Sequence, residues 1–94
     1  MTKNVRSRVY EALCELGETP DEVAASLRAK GITGKRKGSR CCPVANYIHS
    51  LGVDAFVSIR WCYLGDDAIA CEMPASSEAF VVAFDHGDYP DLVS

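Results

Sequence analysis

No run of apolar residues in this chain approaches the roughly 18 that would span a bilayer, which excludes a helical membrane protein. The opening segment, Met1-Thr2-Lys3-Asn4-Val5-Arg6, is not followed by an apolar block, so no secretory leader is expected and the context reads as cytosolic. Paired metal-ligand spacings are missing, because there is no C-x-x-C and no H-x-x-x-H. A zinc site drawn from Cys41, Cys42, Cys62 and His49 would lack the short paired spacing of tetrahedral sites, so no metal and no other cofactor is expected. The cysteines number five, and an odd count in a cytosolic chain argues for thiols rather than a disulfide framework. Repeats and low-complexity tracts are lacking too.

What is present fits one small globular domain, residues 1–94, with room for one modest core. Hydrophobic residues at 48% and charged residues at 24% argue against disorder. Charge is unevenly spread. Residues 1–40 hold nine of the ten Lys and Arg against five acids, a balance of +4; residues 41–94 hold Arg60 against eight acids, a balance of −7. Val23 to Val53 contains no acid at all, yet includes Arg28, Lys30, Lys35, Arg36, Lys37 and Arg40. Such asymmetry points to a surface for anions, nucleic acid among them, or to a solvated loop on a chain whose two ends attract each other.

Periodicity places four helices and a hairpin. Val5, Val9, Ala12, Leu13 and Leu16 form one apolar stripe on a first helix from Asn4 to Leu16, stopped by Gly17. Thr19-Pro20-Asp21-Glu22 is a capping box opening a second helix that buries Val23, Ala24 and Leu27 and ends at Gly31. Gly31 to Arg40 reads as an exposed loop. Pro43, after Cys42, opens a third helix with Val44, Tyr47, Ile48 and Leu51 on its inner side and Gly52 at its end. From Val53 to Met73 the period changes to that of a strand. Val57, Ile59, Trp61 and Tyr63 alternate with Phe56, Ser58, Arg60 and Cys62, and Ile69, Cys71 and Met73 return after Gly65-Asp66-Asp67. The expected register sets Ile59 opposite Met73, Trp61 opposite Cys71 and Tyr63 opposite Ile69, which puts Cys62 and Cys71 on opposite faces and makes Cys71 a small core residue. A slip by one, with Trp61 against Glu72, is the poorer choice. A last helix runs from Ser77 to Asp85 behind a Ser76 cap, buries Phe80, Val81, Ala83 and Phe84, and leads through Gly87 into a tail that packs by Tyr89 and Leu92. The expectation is a single α+β domain, three helices then a β-hairpin then a C-terminal helix, with Trp61, Tyr63, Phe80, Phe84, Tyr47, Ile48 and Leu51 at its core. Helices joined by a turn and followed by a hairpin are also the parts of a winged helix-turn-helix.

Cys42 stands at a helix N-terminus beside Arg40, a setting that favours the thiolate; the bland alternative is a half-buried structural thiol before Pro43. A catalytic thiol also needs a base. His49 lies about two turns, roughly 10 Å, along the same helix and cannot serve it; His86 could approach only through the tertiary fold.

Two likenesses accompany these residues. Val23-Ala24-Ala25-Ser26-Leu27-Arg28-Ala29-Lys30-Gly31-Ile32 resembles the first helix and turn of the DNA-binding segments of serine recombinases. The third helix departs from a recognition helix, since it offers Asn46, His49 and Ser50 and no cation, which favours phosphate contacts over base reading. Gly31-Ile32-x-Gly34, Cys42-Pro43-Val44-Ala45-x-Tyr47 and Phe80-Val81-x-x-Phe84-Asp85-x-Gly87-x-Tyr89-Pro90-Asp91-Leu92 together resemble small proteins of actinobacteria and their phages. That likeness implies a cytosolic context and a compact α+β fold, and carries no site residues over.

Three functions stay open. The first is a non-enzymatic module for an anionic partner, a phosphate-bearing ligand or a nucleic-acid backbone. Lys35, Arg36, Lys37 and Arg40 would neutralise its charge and the amides after Cys42 would orient it. The second is a protein-interaction regulator or inhibitor docking by complementary charge. The third is a thiol enzyme built on Cys42. No catalytic residue and no membrane partner is expected.

Overall fold

The structure, a computed structural model, describes residues 4–94. Met1, Thr2 and Lys3, where the reading for a leader begins, lie outside the described residues. The elements run α1 (Val5–Glu15), α2 (Pro20–Ala29), α3 (Pro43–Ser50), β1 (Ala55–Val57), β2 (Trp61–Leu64), β3 (Ile69–Glu72) and α4 (Ala75–Asp85), and a 3₁₀ turn at Pro90–Leu92 follows. The class is α+β in one compact domain. The strands form one antiparallel sheet in the order β1-β2-β3. α3 packs on β1, α1 on β3, and α2 and α1 against α4. No helix among the described residues is long and apolar enough to cross a membrane.

The helices form for the local reasons expected. Asn4 caps α1 by accepting the Ser7 amide at 2.8 Å. Thr19 caps α2 by accepting the Glu22 amide at 3.1 Å. The Glu22 carboxylate reaches back one residue further than a capping box requires, to the Glu18 amide at 2.9 Å. α4 begins two residues earlier than the expected Ser77, behind Pro74 rather than a Ser76 cap. The Ser76 hydroxyl instead donates to the Gly17 carbonyl at 2.8 Å and ties α4 to the end of α1.

The hairpin differs from the expectation. It is a three-stranded meander, because a tight turn at Ile59 and Arg60 splits the first long strand, with the Ser58 amide donating to the Trp61 carbonyl at 2.8 Å. This turn pairs Phe56 with Tyr63 and Val57 with Cys62, so odd positions of β1 share a face with even positions of β2. The face that packs on the helices is therefore Ala55, Val57, Cys62 and Leu64, completed by Cys71 and Met73. In the β2–β3 pair Trp61 stands opposite Glu72 and Cys62 opposite Cys71, the one-residue slip judged poorer from the sequence. It costs little because Trp61 and Glu72 both point to solvent, where a carboxylate needs no compensation. Trp61 and Tyr63 are thus not core residues, Leu51 is only partly buried, and Cys62 and Cys71 face the same way.

Phe80 and Phe84 stack at 5.8 Å between centroids, and Tyr89 lies over Phe80 at 5.2 Å. Tyr89 also donates its phenol to Asp21 at 2.6 Å. Burial first, and then this hydrogen bond, push the Tyr89 phenol up to about 12 from an ordinary 10.0. Arg28 forms a forked pair with Asp91, which holds that carboxyl below its usual range. The tail is thereby fixed to α2, and Tyr89 and Leu92 are buried as expected.

Truncating Phe80 to alanine removes the ring that joins α4 to the tail, and should lower stability by about 3–5 kcal/mol in urea unfolding. Tyr89 supplies a pH dependence of definite sign. The folded state holds the phenolic proton more tightly than the unfolded chain, so its stabilisation is complete below pH 10 and is lost as pH rises toward 12. Tyr89→Phe should flatten that alkaline loss in thermal melts; an unchanged slope would clear Tyr89 of the effect.

Candidate functional site

The basic loop between α2 and α3 is exposed in its side chains and fixed in its backbone. The Gly34 amide donates to the Leu92 carbonyl at 2.9 Å, and the Ser94 amide to the Gly34 carbonyl at 2.8 Å, so the tail runs beside the loop. Any Cβ at Gly34 would come within 2.4–2.5 Å of the Cys41–Pro43 backbone, which is why glycine stands there. Asn46 of α3 donates to the carbonyls of Thr33 at 2.8 Å and Cys41 at 3.2 Å, bracketing both ends of the loop. On the far side, the Ser39 carbonyl takes the Val57 amide of β1 at 2.7 Å.

The cations expected to bind an anion do not converge. Arg36 is engaged at the end of α4, where its Nε and Nη2 donate to the Asp85 carbonyl at 3.1 and 2.8 Å. A guanidinium there complements the negative end of the helix. The Lys37 backbone has a left-handed φ of 59°, held by donation of its amide to the Asp85 carboxylate at 2.8 Å. The Lys37 side chain lines a cleft of about 240 Å³ with Ser39, Ser58, Cys42 and Asp85, so a carboxylate faces it there. Arg40 lies 5.6 Å over the Phe56 ring and borders a different cleft, whose lining includes Asp54 and Asp66. Lys35 lines neither. Among the described residues, Lys35, Lys37 and Arg40 form no ion pair.

Cys42 requires a correction. It is 5% exposed, and its sulfur accepts the Ala45 amide at 3.4 Å, so the cysteine is the cap of α3. Pro43 has no amide hydrogen, and Val44 and Ala45 are fully buried. The N-terminal amides that were to orient an anion are spent on the protein's own thiol. Burial pushes the Cys42 thiol up, and the Ala45 and Val44 amides offset this only in part. A thiolate favoured by the helix has the opposite sign, because burial outweighs the amides, and the structural thiol is the reading that fits. His49 does not supply a base: its Nε2 lies 3.2 Å from the Ala55 carbonyl and 3.6 Å from Asp54. Cys62, opposite Cys71, is pushed up to about 12, chiefly by burial. No group of three or more His, Cys, Asp or Glu among the described residues could hold a metal ion.

What sequence reasoning missed is the outer face of the sheet. Phe56 of β1 is 40% exposed and Trp61 of β2 is 41% exposed. Tyr63 pairs with Phe56 across the strands, the rings 6.1 Å apart. Ala70 and Glu72 of β3 complete the surface. The missed signal was the short turn at Ser58-Ile59-Arg60, which carries no glycine, proline or asparagine to announce it. Comparison of the chain with protein-family models, with curated proteins and with solved structures gives no match.

Thiol reactivity tests this arrangement. Cys14 is the exposed cysteine and should react first with Ellman's reagent in the native state. Cys42, Cys62 and Cys71 should react only as the protein unfolds. Rapid native labelling of Cys42 would contradict its place in the core.

Proposed function

We propose that the protein is a small binding module that engages a partner protein through the outer face of its sheet. The observation that supports this best is the display of Phe56, Trp61 and Tyr63 on the sheet face that, among the described residues, no helix covers. Exposed aromatic rings beside arginine are the side chains that dominate protein interfaces, since they bring large area at low entropic cost. Arg40 over Phe56 supplies the arginine, whereas Arg60 in the β1–β2 turn lies 3.8 Å from Glu78 of α4. Charge favours a protein over a duplex here: Glu72 sits on the face, and residues 41–94 carry a balance of −7, which repels phosphate.

One observation favours a second reading, a phosphate-bearing ligand or nucleic-acid backbone on the loop. Lys35, Lys37 and Arg40 are exposed on a rigid backbone and without ion pairs among the described residues. Arg36 is excluded from that set, because it serves the end of α4.

The two readings separate in one experiment. The tagged chain should retain a protein from a lysate of its native cell after nuclease treatment. Phe56→Ser with Tyr63→Ser should cut that retention roughly tenfold. Lys35→Glu and Lys37→Glu together should leave it intact. Retention that nuclease or the charge reversals abolish, while the serine variant keeps it, overturns the protein reading in favour of the anionic one.

A further inference from the structure

Each strand of an antiparallel ladder turns every second peptide group toward one neighbour and the others toward its far side. The Met73 amide donates to the Arg60 carbonyl at 3.0 Å, and this bond fixes the phase of the β2–β3 pair. Cys71 and Ile69 therefore bond to β2, while Ala70 and Glu72 direct their N–H and C=O groups outward. At the opposite edge of the sheet the Ser39 carbonyl covers β1 by taking the Val57 amide. β3 has no such cover: among the described residues, the Ala70 and Glu72 amides have no backbone partner.

These groups open onto a groove of about 640 Å³ between β3 and α1, bordered by Arg6, Tyr10, Trp61, Glu72 and Met73. Tyr10 is 42% exposed and Trp61 41%, so two aromatic rings border the same space. The exposed Glu72 carboxylate forms no ion pair among the described residues. A free strand edge beside a helix, with apolar rings and an unpaired charge, is complementary to an extended peptide rather than to a folded surface.

We propose that β3 captures an extended segment of the partner protein as an added strand, with a Lys or Arg of that segment opposite Glu72. The proposal rests on the protein-binding reading above and names its chemistry. Backbone bonds give the affinity: the Ala70 N–H and C=O and the Glu72 N–H are on offer, and the Glu72 carbonyl, which accepts the Cys71 thiol at 3.7 Å, keeps a second lone pair. Glu72 gives the sign of the charge, and the acidic half of the chain draws a basic segment toward it. A second copy of this chain fits less well. Pairing β3 with itself so that Ala70 meets Glu72 places alanine, not a cation, opposite each carboxylate. Pro74, two residues beyond Glu72, ends the edge, which keeps the added strand short and guards against open-ended stacking.

The test selects a displayed library of random linear peptides against the full chain. Enriched peptides should carry Lys or Arg at one fixed position among β-branched or aromatic residues. Glu72→Lys should weaken the best of them roughly tenfold, and reselection on that variant should turn the fixed position to Asp or Glu. Ala70→Pro removes an outward N–H without costing a ladder bond, and should weaken binding to a similar extent with the melting curve preserved. Failure to enrich any peptide overturns the proposal, and so do peptides that bind both variants as tightly as the native chain. If the native partner is still retained through Phe56 and Tyr63 in that event, the protein-binding reading stands and only the added strand falls.

Discussion

The tight turn at Ile59 and Arg60 controls which side chains this protein hides and which it shows. With Ser58 bonded to Trp61, the register joins odd positions of β1 to even positions of β2. Small and aliphatic residues, Ala55, Val57, Cys62 and Leu64, then face the helices, and the aromatic residues Phe56, Trp61 and Tyr63 face out. A single residue more or less in that turn would exchange the two sets. At 40–41% exposure, Phe56 and Trp61 forgo only part of the roughly 1.5–3 kcal/mol that full burial of a large apolar side chain brings. The stacked Phe80, Phe84 and Tyr89 and the inward sheet residues belong to one buried core.

The basic loop follows a different logic. A cationic segment of this length would ordinarily be solvated and loose. Here its backbone is bound to the tail by Gly34, to β1 by Ser39 and to α4 through Asp85. Arg36 is consumed in that anchoring, and Lys37 lies beside the carboxylate that holds its own amide. The cations are spread over separate clefts by the same bonds that make the loop rigid. Hydrogen bonds to Asp85, through its backbone carbonyl and its carboxylate, tie the loop to α4. The Arg28–Asp91 pair does the same for the tail and α2, although at half exposure such a pair contributes little alone.

Much of this was legible from residue order. Helix starts were readable because caps are local: Asn4, Thr19 and Cys42 sit where their side chains meet amides three residues ahead. Gly17, Gly31, Gly52 and Gly87 mark the helix ends for the same reason. The strands were readable as strands, but not their faces. Two apolar alternations overlap between Val53 and Met73, and either could be the buried one. Cys42 illustrates the limit in the site. Its position at a helix N-terminus was visible, and so was its cationic neighbourhood. Its degree of burial was not, and burial reverses the direction in which the thiol is shifted.

The linear chain alone determined the α+β class, the number and order of helices, and the inward placement of Val9, Leu13, Leu27, Ile48, Phe80 and Phe84. These follow from spacing and capping over a few residues, interactions that need no distant partner. Tertiary structure decided the sheet register, the outward turn of Phe56, Trp61 and Tyr63, the engagement of Arg36 by Asp85 and the open edge of β3. Each depends on groups far apart in sequence meeting in space. Which of two equally alternating faces is buried is settled by what packs against it, and that information does not reside in either strand.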